Sequence, residues 1–427
     1  MKRIIALITL LLYFFIFVPT LSAAPETNQE TAPPEISGEA AYLIDVQSGQ
    51  TLYSKNGDQL MAPASTTKIM TGLLGIELGN PEDIVTASET MLDYNTVYGT
   101  RIYLEPGEQL SLEDMLYALL LNSANDAAVA IAEHISGNMP DFVSLMNQRA
   151  ADLGLKHTTF KNPSGLNEEG HLTTAHDLAR IAQAAYANPK FREYIKTKSH
   201  VIPREKENVP IEMINENKLL WRDDGITGMK TGYTSVAKNC LVASASRDGR
   251  DVIGVILKSP GREIYTDMQA LLDYGFEQFE NTLYKGIGDS LGQIEIQGQQ
   301  INLLTDQALW ITQKRDKALA QPRINVLPIR GELTDVAAGQ VLTHLEVWEE
   351  EERLRVVPLA ADRSIITETP VEKKSYALFT GLGLMVSGVV LYGAVQQRKH
   401  AERRRERAQQ RKERNGQKIH YSRYQRR

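Results

Sequence analysis

Cysteine is almost missing from this sequence of 427 residues, which contains Cys240 alone. One cysteine cannot form a disulfide within the chain, and it cannot build a structural zinc centre or a redox pair. Because Cys240 stands in the apolar run CLVASAS, we predict that it is buried in the core.

Histidines at a metal-binding spacing are also missing. His171 and His176 are five residues apart, whereas two ligands aligned on one helix face would be about four apart. His157 precedes both in the chain, at a greater distance. We therefore predict solvent or capping roles for these side chains, and the sequence predicts no metal and no cofactor.

Charge is absent from residues 375–395, SYALFTGLGLMVSGVVLYGAV. As an α-helix this segment would span about 31 Å, the thickness of a bilayer core. The tail at 396–427 holds 13 Lys or Arg and 3 Asp or Glu. Basic segments beside a membrane span stay cytoplasmic, so we predict a single-pass transmembrane helix and a basic cytoplasmic tail. A buried core helix is the alternative for the span, and we expect the tail to meet anionic lipid rather than nucleic acid.

The N-terminus carries the other long apolar run. Lys2 and Arg3 precede the apolar residues 4–18, and small residues follow at 22–24. This layout predicts a secretory signal peptide over residues 1–24, with an uncleaved anchor as the alternative. In both cases we expect the body of the chain at the cell membrane, on its extracytoplasmic side. Residues 25–36 are polar, contain proline, and are predicted to be a linker.

The remaining chain divides by pattern into two predicted domains. Residues 37–280 begin with a hairpin, continue through a helical block, and end with short strands and a closing helix. This order predicts an α/β (α+β) domain with an antiparallel sheet flanked by helices. Residues 285–370 contain short alternating runs separated by turns, which predict a small all-β domain without chemistry of its own.

Ser65 and Lys68 stand three residues apart in PASTTK, at the start of a predicted helix. At this spacing two side chains share a helix face, and a lysine amine can take the proton of the serine hydroxyl. The helix N-terminus adds N–H groups where an oxyanion would form. Ser235 and Lys238 repeat the pattern between two predicted strands, so we assign that copy to a turn.

Two further motifs accompany this pair. Ser123 and Asn125 stand in NSAND at a predicted break between two helices, where side chains project into a cleft. Lys230, Thr231 and Gly232 lie on a predicted strand, where glycine would let a substrate backbone approach the strand edge. Lysine and threonine supply the cation and the hydroxyl donor that a terminal carboxylate needs.

In this order the three motifs resemble those of the penicillin-recognising serine enzymes. The surrounding segments, KNPSGLNEEGHLTTAHDLA among them, are most similar to the serine D-alanyl-D-alanine carboxypeptidases, the low-molecular-weight penicillin-binding proteins. The resemblance covers residues 37–370 and implies a β-lactamase/transpeptidase-like catalytic domain. It also implies removal of the terminal D-alanine from peptidoglycan stem peptides and inhibition by β-lactams.

The resemblance implies a role for each motif residue. Ser65 would be the acylated nucleophile, Lys68 its base, and Ser123 the relay that carries a proton to the leaving amine. The implied substrate-binding residues, of which Arg262 in PGRE is the least closely tied to a motif, are Asn125, Lys230, Thr231, Gly232 and Arg262.

Other functions stay open at this point. The middle motif reads Ser–Ala–Asn, where class A β-lactamases usually have Ser–Asp–Asn, and their deacylating glutamate loop has no clear counterpart here. A peptidase inhibited by penicillin is therefore favoured over a β-lactamase. A transpeptidase differs only in the acceptor, and a non-catalytic wall-binding scaffold is disfavoured because all three motifs are intact.

Overall fold

A computed structural model of the chain describes residues 32–366 except 205, 316, 318–321, 330 and 332. The predicted signal peptide, transmembrane segment and basic tail lie outside these residues. Among the helices that are described, none combines the length and the apolar character needed to cross a membrane.

The described residues form a mixed α/β structure. Its α-helices, α1 to α7, are Lys68–Leu78, Leu112–Leu120, Asn125–Ser136, Met139–Asp152, Ala175–Ala187, Pro189–Lys196 and Ile264–Gln278. Its first nine strands, β1 to β9, are Ala40–Asp45, Thr51–Lys55, Ile84–Thr86, Gln109–Ser111, Ser199–Val201, Glu212–Ile214, Ile226–Thr234, Lys238–Arg247 and Arg250–Ser259. The strands that follow α7, β10 to β16, are Phe279–Lys285, Ser290–Ile296, Gln299–Thr305, Leu309–Lys314, Arg323–Val326, Val341–Glu349 and Glu352–Ala361.

A five-stranded antiparallel sheet in the order β2-β1-β9-β8-β7 forms the centre of the fold. All six residues of β1 are buried because helices cover both faces of the sheet. Side chains alternate between the faces along a strand, so Tyr42 and Ile44 pack with helices α1 to α6, whereas Leu43 packs with α7. Strand β7 is an edge strand of the sheet, and its unpaired edge faces the helical layer.

The strands after α7 form a second antiparallel sheet in the order β11-β12-β16-β15-β14. Leu345, Val357 and Leu359 are central to its apolar core, and β10 pairs separately with β13. The β15–β16 hairpin contacts the turn between β1 and β2, where the Arg355 guanidinium donates to the Gln47 carbonyl at 2.6 Å. The boundaries 37–280 and 285–370 remain predictions.

The predicted antiparallel sheet flanked by helices and the β-rich region after it are confirmed. Two details are wrong. Ser65 does not lie in the first turn of an α-helix but in a 3-10 turn, Ala64–Thr67, which precedes α1. Helix α6 was not predicted, because it is only eight residues long and begins at a proline capped by Asn188.

Candidate active site

Ser65 and Lys68 are brought together by the junction between the 3-10 turn and helix α1. A 3-10 helix has three residues per turn, so side chains at i and i+3 lie in line. The Lys68 Nζ atom is 3.1 Å from the Ser65 Oγ atom. Ala64, the residue before the serine, has a φ of 49°, which is unusual for a residue with a side chain. The serine is half-buried.

The Lys68 amine is fully enclosed, with no exposed side-chain surface. Its Nζ atom lies 2.6 Å from the Asn125 Oδ1 atom and 2.6 Å from the Ser164 carbonyl oxygen. Neither partner carries a charge. Burial, and after it the nearby Lys230 ammonium, hold the pKa of Lys68 well below its ordinary value of 10.5. The site therefore favours the uncharged amine.

The Ser164 carbonyl is positioned by a tight turn in the sequence NPSGL. The Asn162 side-chain oxygen accepts from the N–H groups of Gly165 and Leu166 at 2.8 and 3.1 Å. Gly165 has a φ of 85°, and a Cβ atom there would lie 1.9 Å from the Ala64 carbonyl oxygen. Only glycine allows this turn to pack against the serine.

Ser123 and Asn125 stand at the break between α2 and α3, as the sequence predicts. Ser123 is buried with a φ of 59°. The Asn125 side chain links Lys68 to the segment that contains Tyr98, because its Nδ2 atom donates to the Tyr98 carbonyl while its Oδ1 atom faces the Lys68 amine. The Asp126 carboxylate accepts from the N–H groups of Ile102 and Leu104 at 3.2 and 3.0 Å, which fixes this segment against α3.

The sequence suggests that Gly232 lets a substrate backbone approach the strand edge. The structure shows another reason for a glycine at this position. A Cβ atom on this residue would lie 2.9 Å from the Ser65 backbone nitrogen and 3.1 Å from the Thr66 nitrogen. The glycine is therefore required so that β7 can pass against the turn that carries Ser65. This approach places the edge of β7 beside the Ser65 N–H group.

Lys230 and Thr231 lie next to Gly232 on β7 and share one partner that the sequence analysis missed. The Thr231 hydroxyl donates to the Glu216 Oε2 atom at 3.1 Å, and the Lys230 Nζ atom is 3.5 Å from the same oxygen. The Lys230 side chain is 1% exposed and that of Glu216 is 41% exposed. Burial lowers the pKa of Lys230, and Glu216 opposes this effect.

Arg262 is exposed in the connection between β9 and α7. Its charge acts on Tyr265, as does that of Glu216, so the guanidinium and this carboxylate share one neighbour. In the described structure no contact joins Arg262 to Lys230 or Thr231. Arg262 therefore lies near the predicted carboxylate site without being part of the Lys230–Thr231 pair.

The predicted solvent or capping role is wrong for His171, which is buried, and the Ser164 carbonyl was missed. The His171 Nε2 atom is 3.0 Å from the Thr67 Oγ1 atom, and burial, followed by the charges of Lys161 and Lys68, lowers the pKa of His171 to about 4. This neutral ring supports the turn that carries Ser65. The NPSG turn signal was visible, but a main-chain carbonyl has no sequence signature.

Across residues 32–366, apart from the gaps named above, no three His, Cys, Asp or Glu side chains cluster as metal ligands.

A serine hydroxyl beside a buried lysine, with the Ser123–Asn125 pair and the Lys-Thr-Gly strand around it, defines an active-site serine enzyme of the penicillin-binding type. Residues 27–261 match the model of the S11 peptidase family, D-alanyl-D-alanine carboxypeptidase. The chain therefore belongs to the S11 family of D-alanyl-D-alanine carboxypeptidases.

Characterised relatives agree over most of the chain. The D-alanyl-D-alanine carboxypeptidase DacF of Bacillus subtilis (strain 168) is 33% identical over 368 residues, which cover 84% of this chain and 94% of that protein. Penicillin-binding protein 5 from Haemophilus influenzae superposes with a TM-score of 0.62 at 28% identity, covering 79% of this chain and 99% of that one. The Streptomyces K15 DD-transpeptidase gives 0.54 at 32% identity, covering 58% and 99%.

Proposed function

We propose that this protein is a serine D-alanyl-D-alanine carboxypeptidase that removes the terminal D-alanine from peptidoglycan stem peptides and is acylated by β-lactams. One observation carries the mechanism. The enclosed Lys68 amine has two carbonyl oxygens and one hydroxyl around it, all within 3.1 Å. A neutral amine has two N–H donors and one lone pair. With both donors directed at Asn125 and Ser164, the lone pair faces the Ser65 hydroxyl.

Acylation then follows from this arrangement. Lys68 accepts the Ser65 proton, and the Ser65 oxygen attacks the carbonyl carbon of the penultimate residue. Negative charge develops on the carbonyl oxygen, and the Ser65 N–H beside the edge of β7 is placed to stabilise it. The peptide C–N bond breaks as the serine ester forms.

The proton must next reach the departing amine. Ser123 lies two residues before Asn125, whose side-chain oxygen is bonded to Lys68. We assign to Ser123 the relay of the proton from Lys68 to the nitrogen of the leaving D-alanine. Water then hydrolyses the ester, and Lys68 is available as the base for that step. The substrate's terminal carboxylate would bind the Lys230 ammonium and the Thr231 hydroxyl, with Arg262 contributing charge from the rim.

Incubation of the protein with a D-Ala-D-Ala peptide and with fluorescent penicillin tests this function. We expect release of D-alanine and a stable label that is lost in S65A. Rapid turnover of penicillin would instead indicate a β-lactamase, peptide transfer to an added amine would indicate a transpeptidase, and no label would leave a wall-binding scaffold.

We also propose that residues 375–395 anchor the enzyme in the cell membrane, with the catalytic body outside and the basic tail in the cytoplasm. The uncharged segment and the basic block after it support this topology. A chain that ends at residue 366 should be released into the soluble exported fraction, whereas the full chain should resist extraction at high pH. Release of the full chain under those conditions would contradict the anchor.

A further inference from the structure

Glu216 occupies a position that the mechanism above leaves unexplained. Its Oε2 atom is bound by the Thr231 hydroxyl at 3.1 Å and lies 3.5 Å from the Lys230 Nζ atom. These are the two groups that the proposed function assigns to the terminal carboxylate of the substrate. The free protein thus already holds a carboxylate in that subsite, and this carboxylate belongs to its own chain.

The backbone around Glu216 is firmly fixed. The Glu216 N–H group donates to the Leu121 carbonyl at 3.2 Å, just before the Ser123 motif. The buried Asn215 side chain donates to the Ile195 and Thr197 carbonyls, both at 3.1 Å. Asn217 is buried as well. The segment is thus pinned on both sides of Glu216.

The side chain itself is not enclosed in the same way. It is 41% exposed, whereas Lys230, which it contacts, is 1% exposed. An exposed glutamate can rotate into solvent without a large cost in hydration or packing. The buried ammonium cannot follow it, and an isolated buried charge is unfavourable. An incoming carboxylate would restore to Lys230 the charge that Glu216 supplies in the free protein.

We propose that Glu216 is an internal competitor for the carboxylate subsite, so that a substrate binds by displacing the Glu216 side chain from Thr231 and Lys230. This inference rests on the proposed function, because it takes Lys230 and Thr231 as the carboxylate subsite. It makes Glu216 a specificity-determining residue. A ligand that ends in a carboxylate replaces the negative charge of Glu216 that it displaces from Lys230. A ligand without a carboxylate that displaced Glu216 would leave the Lys230 ammonium without a counter-charge.

Binding should be measured without turnover, in an S65A background, by calorimetry. The probes are a diacylated L-Lys-D-Ala-D-Ala peptide and the same peptide with a C-terminal amide. If Glu216 occupies the subsite about nine-tenths of the time, E216Q should strengthen binding of the acid about tenfold, because apparent affinity scales with the competent fraction. The amide has no charge to replace that of Glu216, so it should bind with Glu216 still beside Lys230 and gain less than about twofold. The control E212Q removes another exposed charge, on the nearby strand β6, and should leave both affinities unchanged.

Equal or weaker binding of the acid by E216Q would overturn the proposal, and so would an equal gain for acid and amide. With Ser65 intact, the same substitution should raise the rate constant for acylation by penicillin at low drug concentration by a similar factor. An unchanged or lower rate constant would also overturn it. A wild-type protein that releases no D-alanine would count against the proposed function alone, because the binding assay does not depend on turnover.

Discussion

Two regions of this molecule bury basic side chains, and they shift the pKa values in opposite directions. In the active site, the Lys68 amine meets only neutral acceptors, and burial holds its pKa well below 10.5. Where α5 meets the β15–β16 hairpin, the His176 ring lies 2.7 Å from the Glu352 Oε1 atom and 3.0 Å from the Asp58 Oδ1 atom. There burial alone would lower the pKa of His176, but the two carboxylates outweigh it and raise the pKa above 6.5.

The comparison shows that burial does not by itself decide the charge of a base. The number and the charge of the acceptors within hydrogen-bond distance decide it. Carbonyl oxygens around Lys68 leave a base that can accept a proton, which chemistry requires. Carboxylates around His176 and Arg180 make charged pairs that join two parts of the fold.

The largest effect should come from replacing the buried base. K68R keeps a cation but cannot lose a proton, and K68M keeps neither charge nor lone pair. Both should lower the rate of Ser65 acylation by roughly 10²- to 10⁴-fold, the usual contribution of a general base. Stopped-flow measurement with fluorescent penicillin checks this. Acylation by K68R at the wild-type rate would show that the neutral amine is not required.

Disturbing the turn that supplies a neutral acceptor should have the next largest effect. G165A would press a Cβ atom against the Ala64 carbonyl, at 1.9 Å, and should lower both the acylation rate and the melting temperature. G249A is the matched control, because Gly249 also has a positive φ, 77°, but no atom within 4 Å of a new Cβ. It should cost only about 1 kcal/mol of backbone strain. An equal loss of acylation rate and melting temperature in the two variants would show that this turn does not position Ser65.

At the second region, removal of the shared carboxylate should destabilise the protein without changing chemistry. Glu352 accepts from Arg180 as well as His176, so E352Q should lower the free energy of unfolding by about 1.5–3 kcal/mol. E351Q alters a neighbour that is 97% exposed and should stay within about 0.5 kcal/mol. Urea denaturation distinguishes them. An E352Q protein as stable as E351Q would contradict the assigned pairing.

The smallest effect should be the pH dependence of the same region. Because the pKa of His176 is raised on folding, its contribution to stability is complete below pH 6.5 and is lost as the pH rises through the raised value. H176Q should therefore remove a decline in stability above pH 6.5 of less than about 1 kcal/mol. An equal change of melting temperature with pH in wild type and H176Q above pH 6.5 would be evidence against this contribution.

The motif residues were readable from the sequence because each carries its chemistry in its side chain. The structure places Lys68 beside Ser65 and Asn125, and it places Gly232 of the Lys230 strand beside Ser65, whereas the catalytic roles remain predictions. The turn geometry at Ser65 and the reason for Gly232 were not readable, because both depend on a close approach between segments far apart in the chain. Glu216 and the Ser164 carbonyl were missed for the same reason. A half-exposed glutamate and a backbone oxygen acquire meaning only from their neighbours in space.

The most direct test of this account is the titration of the Lys68 amine itself. ¹⁵N NMR of lysine-labelled protein can follow its Nζ signal, assigned by the loss of that signal in K68R. We expect Lys68 to titrate well below 10.5, with E216Q lowering its pKa further because Glu216 favours the ammonium form. A Lys68 signal that titrates near 10.5 in the folded protein would contradict the account and require another base for Ser65.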